Sequence, residues 1–261
     1  MSATADLLCA ALAREIAESG IRVYAVTSPA TVAAGLAARE LGAPGLALAS
    51  GFTALDGSPV PQLTLGERGL FTAGPALRDD PFDTFALLAR GRVGVAVAPA
   101  QLDVRGRTNL SGVGGEAGRP KVALPGARGL PDNNAGPSRV WYLLPAHGPR
   151  QLVAAVDVVC GAAPPPTSLR RLLTPAGCFE LGHGGWTARW LTASGAELVS
   201  AVEAFPIVAD GAPVVDEPDA DALAAVQRAD PRGARTVEFA GGPEAAELFA
   251  KIGKLERDAV D

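Results

Sequence analysis

Apolar positions fall into short blocks whose spacing alternates between helical and strand-like along most of the chain. Leu7, Leu8, Ala11, Leu12 and Ile16 recur at helical spacing and Gly20 supplies a stop, so residues 4–19 form a first amphipathic helix. Residues 21–26 read as a strand. Ser28 then caps a helix that begins on Pro29 and ends at Gly42, and residues 46–49 form the next strand. Strand, capped turn, helix and strand make a βαβ unit, which implies a parallel sheet because parallel neighbours need a crossover of this length.

Residues 51–80 have no clean period and are expected to form a long loop, a length that inside a compact domain usually serves function. Asp80 and Pro81 open another helix that ends near Gly91, and residues 93–98 are a buried strand. The polar stretch after it is a ligand loop or a hairpin turn centred on Arg105 and Gly106. Strands are predicted over 120–124, 139–144 and 153–159, with a loop over 126–137 and a stiff connection at Pro164-Pro165-Pro166. Residues 178–181 and 187–191 pair as a hairpin about Gly182-His183-Gly184-Gly185. Helices follow over 196–204, with Ser194 as N-cap, and over 220–228, with an extended piece at 206–209 between them. A last helix over 243–258 carries Leu248, Phe249, Ile252 and Leu255 on one side, as for a helix packed on its own domain. No internal repeat is present. The organisation expected is an open, mainly parallel α/β sheet flanked by helices over residues 1–235, with a C-terminal helical extension over 236–261.

The 261 residues are 48% hydrophobic and 20% charged, enough for a sizeable core. No apolar run reaches membrane-spanning length, and the first residues lack the basic and apolar regions of a signal peptide, so the expected location is the cytoplasm. Three scattered cysteines and two histidines fit neither a disulfide framework nor a metal site. A net charge of −5 gives no reason to expect nucleic acid. Between Arg105 and Arg150, however, seven basic residues face two acidic ones, which suits either a phosphorylated ligand or a solvated face.

Several sharper chemistries fail on context. The glycine-rich run from Ser111 to Pro120 leads into a strand, whereas a dinucleotide fingerprint opens a helix; a flexible ligand lining and a plain loop both remain open. A phosphate-binding Gly-Lys-Ser/Thr loop is absent, and Ser50 is not in a Gly-x-Ser-x-Gly elbow. Cys160 and His147 could pair as nucleophile and base, but a cysteine ending an apolar strand is more commonly a small buried hydrophobe. Gln101, Asp103 and Asn109 form the densest polar group after a core strand, as ligand contacts or as turn residues satisfying their own backbone.

Three segments in order resemble one known family. Ala98-Pro-Ala-Gln-Leu-Asp-Val-Arg-Gly-Arg-Thr-Asn-Leu-Ser111 is similar to Gly-Ala-x-Gln-Val-Asp-x-x-Gly-Asn-x-Asn. His147-Gly-Pro-Arg-Gln-Leu-Val-Ala-Ala-Val-Asp157 is similar to His-x-x-x-x-Phe-Val-x-x-Val-Asp, and Ala229-Asp-Pro-Arg232 fits a closing segment. These are patterns of the β-type subunit of the class I coenzyme A transferases, the group that contains glutaconate CoA-transferase and a hydrolase opening a steroid-derived ring as its CoA thioester. The resemblance covers about residues 5–235. It implies an α-type partner subunit of related fold, an α2β2 heterotetramer, an acyl-CoA substrate, and no cofactor beyond the coenzyme A of that substrate.

Family transferases end the strand before this Ser-Gly with a glutamate that attacks the acyl-CoA, and covalent chemistry of that kind needs the carboxylate. Here the strand ends Ala49-Ser50-Gly51, and Asp56 lies too far on to substitute. The loop Gly-x-Gly-Gly-x-x-Asp appears as Gly126-Ala-Arg-Gly-Leu-Pro-Asp132, with Arg128 replacing a glycine, and Arg107 stands at a family asparagine. By the resemblance, Ser50, Gly51 and Phe52 line the acyl site. Gln101, Asn109, Gly126 and Gly129 contact the thioester or pantetheine, and Arg128 pairs with a substrate carboxylate. Hydrolysis, C–C cleavage or decarboxylation of a CoA thioester is then expected in place of CoA transfer. Two alternatives stand beside it: a transferase whose nucleophile lies on the partner, and a non-catalytic subunit completing the partner's cleft.

Overall fold

A computed structural model describes residues 2–50, 54–55, 77–78, 86–91, 93–116, 118–127, 129–136, 139–165 and 167–258. The chain divides into two compact units, Met1–Ala86 with Val93–Ala96 and Glu217–Asp261, and Leu87–Arg92 with Val97–Asp216.

The first unit opens with helix α1 (Ser2–Glu18), strand β1 (Val23–Val26), helix α2 (Pro29–Glu40) and strand β2 (Ala47–Ser50). Short strands β3 (Ala54–Leu55) and β4 (Leu77–Arg78) follow, then β5 (Val93–Val97). Their order is β5-β1-β2-β3-β4, parallel across the first three strands and antiparallel at β3 and β4. The Ser28 cap forms as the sequence predicts: its hydroxyl accepts from Thr31 N–H, and the Thr31 hydroxyl accepts from Ser28 N–H at 2.9 Å. Pro29 to Ala38 are all buried, so α2 is enclosed on nearly every side. It lies close on the sheet because Gly35 faces Tyr24, where a Cβ would come within 2.8 Å of the ring. Residues 51–80 are not all loop, since β3 and β4 lie within them; the helix start at Asp80-Pro81 lies outside the described residues.

The second unit contains β6 (Gln101–Asp103), β7 (Thr108–Asn109), β8 (Gly112–Glu116), β9 (Arg119–Ala123), α3 (Leu130–Ala135), β10 (Arg139–Leu143) and β11 (Leu152–Val153). It continues through β12 (Leu169–Thr174), β13 (Gly177–Gly182), β14 (Gly185–Leu191), α4 (Gly195–Ser200) and β15 (Ile207–Val208). Within it β10 and β12 are parallel, β12, β13 and β14 form an antiparallel meander, and β14 pairs β15 in parallel. Smaller sheets join β11-β6-β7 and β8-β9. Trp141, Tyr142, Leu172, Phe179, Trp186 and Phe205 fill its core. The chain then returns to the first unit with α5 (Ala220–Ala229), a 3-10 turn η1 (Ala234–Phe239) and α6 (Gly242–Asp258).

This is the open α/β architecture expected, with parallel strands at the centre of the first sheet and helices flanking. Three local expectations give way, and one strand was not expected at all. The glycine-rich run 111–120 is not a loop but the β8-β9 hairpin, in which Gly114, Gly115 and Gly118 take positive φ. Residues 126–137 contain α3, although Pro131, Asp132, Asn133 and Asn134 are poor helix formers. Of the apolar run 153–159 only Val153 is strand, the second residue of β11, and Val158 and Val159 point into solvent at 40% and 52% exposure. Strand β12 went unpredicted because Arg170 and Arg171 interrupt its apolar pattern. Among the described residues no helix is long and apolar enough to cross a membrane.

Candidate functional site

In the first unit the carboxyl ends of β1 and β5 mark the point where strand order reverses, the place where open α/β sheets hold ligands. Thr27 follows β1 and its hydroxyl donates to Ala96 O at 2.7 Å, tying these two ends together. Ala49 lies one residue from the end of β2, buried to 2% exposure between Ala25 of β1 and Leu55 of β3. Ser50 continues the ladder opposite Val26. Gly51, Phe52 and Asp56 lie outside the described residues.

Sequence reasoning missed one acid here. Glu238, from η1, accepts a hydrogen bond from Ala30 N–H at 2.8 Å and so occupies the first turn of α2, where unpaired amides favour a carboxylate. Burial raises its pKa, opposed by the Ala30 amide and the Ser28 hydroxyl. Nearby Arg235 sits between Asp6 and Asp230; burial works against its charge, and the two carboxylates, at 2.7 and 2.9 Å, outweigh that and raise its pKa. The acidic partner of α2 lies 208 residues downstream, beyond any local motif.

The second unit brings Gln101 and Asn109 together across the β6-β7 pair. Asn109 Nδ2 donates to Gln101 Oε1 at 2.7 Å and to Gly112 O at 2.8 Å, while Asn109 Oδ1 accepts from Ser111 N–H. Gln101 Oε1 also accepts from Asp157 N–H at 3.1 Å, and Asp157 Oδ2 accepts from Gly114 N–H at 2.8 Å. Gln101 is 4% exposed and Asn109 is fully buried, so these amides bond one another and the base of the β8-β9 hairpin. Asp103 forms the predicted turn, its Oδ1 accepting from the Arg105 and Arg107 amides and its Oδ2 from Arg107 Nε at 2.6 Å. Arg107 therefore neutralises a buried acid.

Cys160 and His147 do not meet. Cys160 Sγ accepts from Leu110 N–H at 3.3 Å and lies 3.0 Å from Ser111 Oγ. His147 Nδ1 is 2.8 Å from Thr174 Oγ1, its ring packs on Phe179, and its Nε2 is buried without a partner. Burial lowers the His147 pKa from 6.5 to about 4, so the ring is neutral at pH 7. Among the described residues no Cys160–His147 hydrogen bond forms for the nucleophilic chemistry weighed from the sequence.

Gly126 takes φ +101° and donates its N–H to Leu110 O at 2.9 Å, which places Gly126 against the segment that Asn109 holds. Gly129 is the N-cap of α3 and both glycines are half-buried. Arg128 lies outside the described residues. Ala49 and Ser50 thus belong to the first unit, and Gln101, Asn109, Gly126 and Gly129 to the second. Among the described residues no group of three or more His, Cys, Asp or Glu could hold a metal ion.

No protein-family model matches the sequence, nor does any curated protein match it significantly. Solved structures do. The decarboxylase AibA/AibB shares 27% identity over 91% of this chain and 99% of that chain, with a TM-score of 0.78. IpdAB from Rhodococcus jostii RHA1 is 22% identical over 91% of this chain and 99% of its own, at a TM-score of 0.72. Glutaconate coenzyme A-transferase from Acidaminococcus fermentans is 14% identical over 90% and 98%, at 0.70. The last two likenesses bear on fold alone. The chain has the coenzyme A transferase fold.

Proposed function

We propose that this chain is the β-type subunit of a two-component enzyme that acts on an acyl-CoA thioester by decarboxylation, C–C cleavage or hydrolysis, without transferring the CoA. One observation carries the reading: Ala49, buried near the carboxyl end of the parallel strand β2, stands where the family resemblance puts a glutamate nucleophile. A methyl group has neither lone pair nor proton, so no acyl anhydride can form on it. Binding and polarisation remain. Backbone amides directed at a thioester carbonyl stabilise the enolate left when an adjacent carboxylate departs as CO2, which needs no nucleophile on this chain.

The likeness to the decarboxylase AibA/AibB, above the level of mere fold similarity, supports this direction. Its two-part name and that of IpdAB support an α-type partner, which supplies the catalytic groups in an α2β2 assembly. Ser50, Gly51 and Phe52 line the acyl group, Gly126, Arg128 and Gly129 approach the thioester or pantetheine, and coenzyme A enters only as part of the substrate. A second reading, a subunit that only completes its partner's cleft, is favoured by the inward bonding of Gln101 and Asn109. The complex with its partner is assayed for acetate-dependent CoA exchange, alongside an Ala49→Glu variant. The expected result is no exchange by the unmodified complex; robust exchange overturns the reading, and full turnover by the partner alone favours the second.

A further inference from the structure

The last part of the first unit is fastened through one short element. The 3-10 turn η1 follows Gly233, at φ +72°, and α6 begins after Gly241 on Gly242, at φ +49°, so glycine joints bound η1 on both sides. α6 packs on η1, with Ile252 buried at 2% exposure and Phe249 left 48% exposed. η1 in turn packs on α1 and α2. Two side chains fasten it there. Arg235 bonds Asp6 of α1 at 2.7 Å and Asp230 at 2.9 Å, and Glu238 accepts from the Ala30 N–H of α2 at 2.8 Å.

The groups around Glu238 come from four elements. α2 with its cap offers the Ala30 amide and the Ser28 hydroxyl, and β1 offers Tyr24. α1 offers Cys9 and Asp6, and the turn into η1 offers Asp230 and Arg235; Cys9 lies within electrostatic reach of Glu238, Arg235, Asp230 and Asp6 together. Tyr24 and Cys9 are fully buried, and burial pushes both pKa values up, so neither carries charge at pH 7. Arg235 is the cation among these groups, and two carboxylates share it, which leaves that triad at −1. Ionising Glu238 puts a second negative charge into the cluster, against one amide, one hydroxyl and the helix terminus. A neutral carboxyl keeps the Ala30 bond through its carbonyl oxygen and avoids the charge.

We propose that Glu238 is a proton-controlled latch: neutral, it seats η1 and with it α6 on the first turn of α2, and ionised it lets residues 234–258 open on their glycine joints. The latch is independent of the acyl-CoA reading above. Burial raises the Glu238 pKa from its ordinary 4.5, so the seated form is favoured in full below about pH 4.5 and loses that support as pH rises through the raised value. Because Thr27 at the end of β1 directly precedes the Ser28 cap, and its hydroxyl bonds Ala96 O, the latch also bears on the carboxyl ends of β1 and β5.

Amide exchange of the full chain at pH 5 and pH 8 tests this, each amide expressed as protection relative to an unstructured peptide at the same pH. In wild type, protection at Ala30 and over residues 236–252 should fall about tenfold from pH 5 to pH 8, while that over 222–229 in α5 stays level. Glu238→Gln keeps the acceptor oxygen and cannot ionise, so it should stay protected at both pH values. Equal wild-type protection at the two pH values overturns the latch, as does a fall that Glu238→Gln retains. A fall of the same size in α5 reports opening of the whole unit and overturns it too. The wild-type contrast between 236–252 and α5 decides the matter even if the variant does not fold.

Discussion

His147 makes the pH dependence of stability a sharp test of the second unit's core. The ring is 8% exposed, held by Thr174 at 2.8 Å and by Phe179 at a centroid distance of 5.5 Å, and its Nε2 has no acceptor or donor to meet. Its pKa falls from 6.5 to about 4 on folding. The unfolded chain therefore binds the proton more readily, so stability is full above about pH 6.5 and is lost as pH falls towards 4. At about 1.36 kcal/mol per unit, the loss is about 2 kcal/mol by pH 5 and about 3 kcal/mol in full. Substitution by leucine removes the titrating group at the cost of its bond to Thr174. Urea unfolding of wild type and His147→Leu at pH 7 and pH 5 isolates the effect. The stability difference between them should shift by about 2 kcal/mol in favour of the variant on going to pH 5. A difference independent of pH would refute the buried, neutral imidazole.

Three further outcomes follow from individual contacts. Gly35→Ala places a Cβ 2.8 Å from the Tyr24 ring and should destabilise the first unit by about 1–3 kcal/mol, read as a lowered melting temperature; an unchanged melting temperature would show that α2 does not rest on β1 this closely. Arg235→Met leaves Asp230, 2% exposed, with its two main-chain amide bonds but no cation, and should cost about 3 kcal/mol in chemical denaturation, with faster amide exchange across residues 234–239; a neutral effect would contradict the buried ion triad. Cys160→Ser should leave the activity of the complex intact, since the sulfur is bonded to Leu110 and Ser111 and has no base; loss of activity with retained folding would restore the thiol chemistry.

Where local chemistry decides structure, the sequence is legible. Ser28-Pro29 announces the capped start of α2, Arg105-Gly106 its turn, and Gly182 to Gly185 the β13-β14 connection, because each satisfies its backbone within a few residues. Where partners are distant it is not. Asn134 makes α3 possible through Tyr142 and Arg170, 8 and 36 residues away, and the same contacts bury the arginine that hides β12. Glu238 reaches α2 from the far end of the chain. The valines at 158 and 159 misled in the opposite sense, since β-branched residues suggest a strand that their exposure does not allow. In the candidate site, the strand that carries Ala49 and Ser50 was legible from its short apolar run. The mutual bonding of Gln101 and Asn109 could not be foreseen from two polar residues that also suit a ligand.

CoA transfer tests the proposed function most directly. The complex is mixed with acetate and each of a panel of acyl-CoA thioesters, and the acetyl-CoA formed is followed together with CO2 and free CoA. The proposed function predicts no acetyl-CoA, because Ala49 offers no carboxylate on this chain to carry the acyl group. Sustained acetyl-CoA formation, with a glutamyl or aspartyl thioester trapped on this chain by borohydride, would contradict the account.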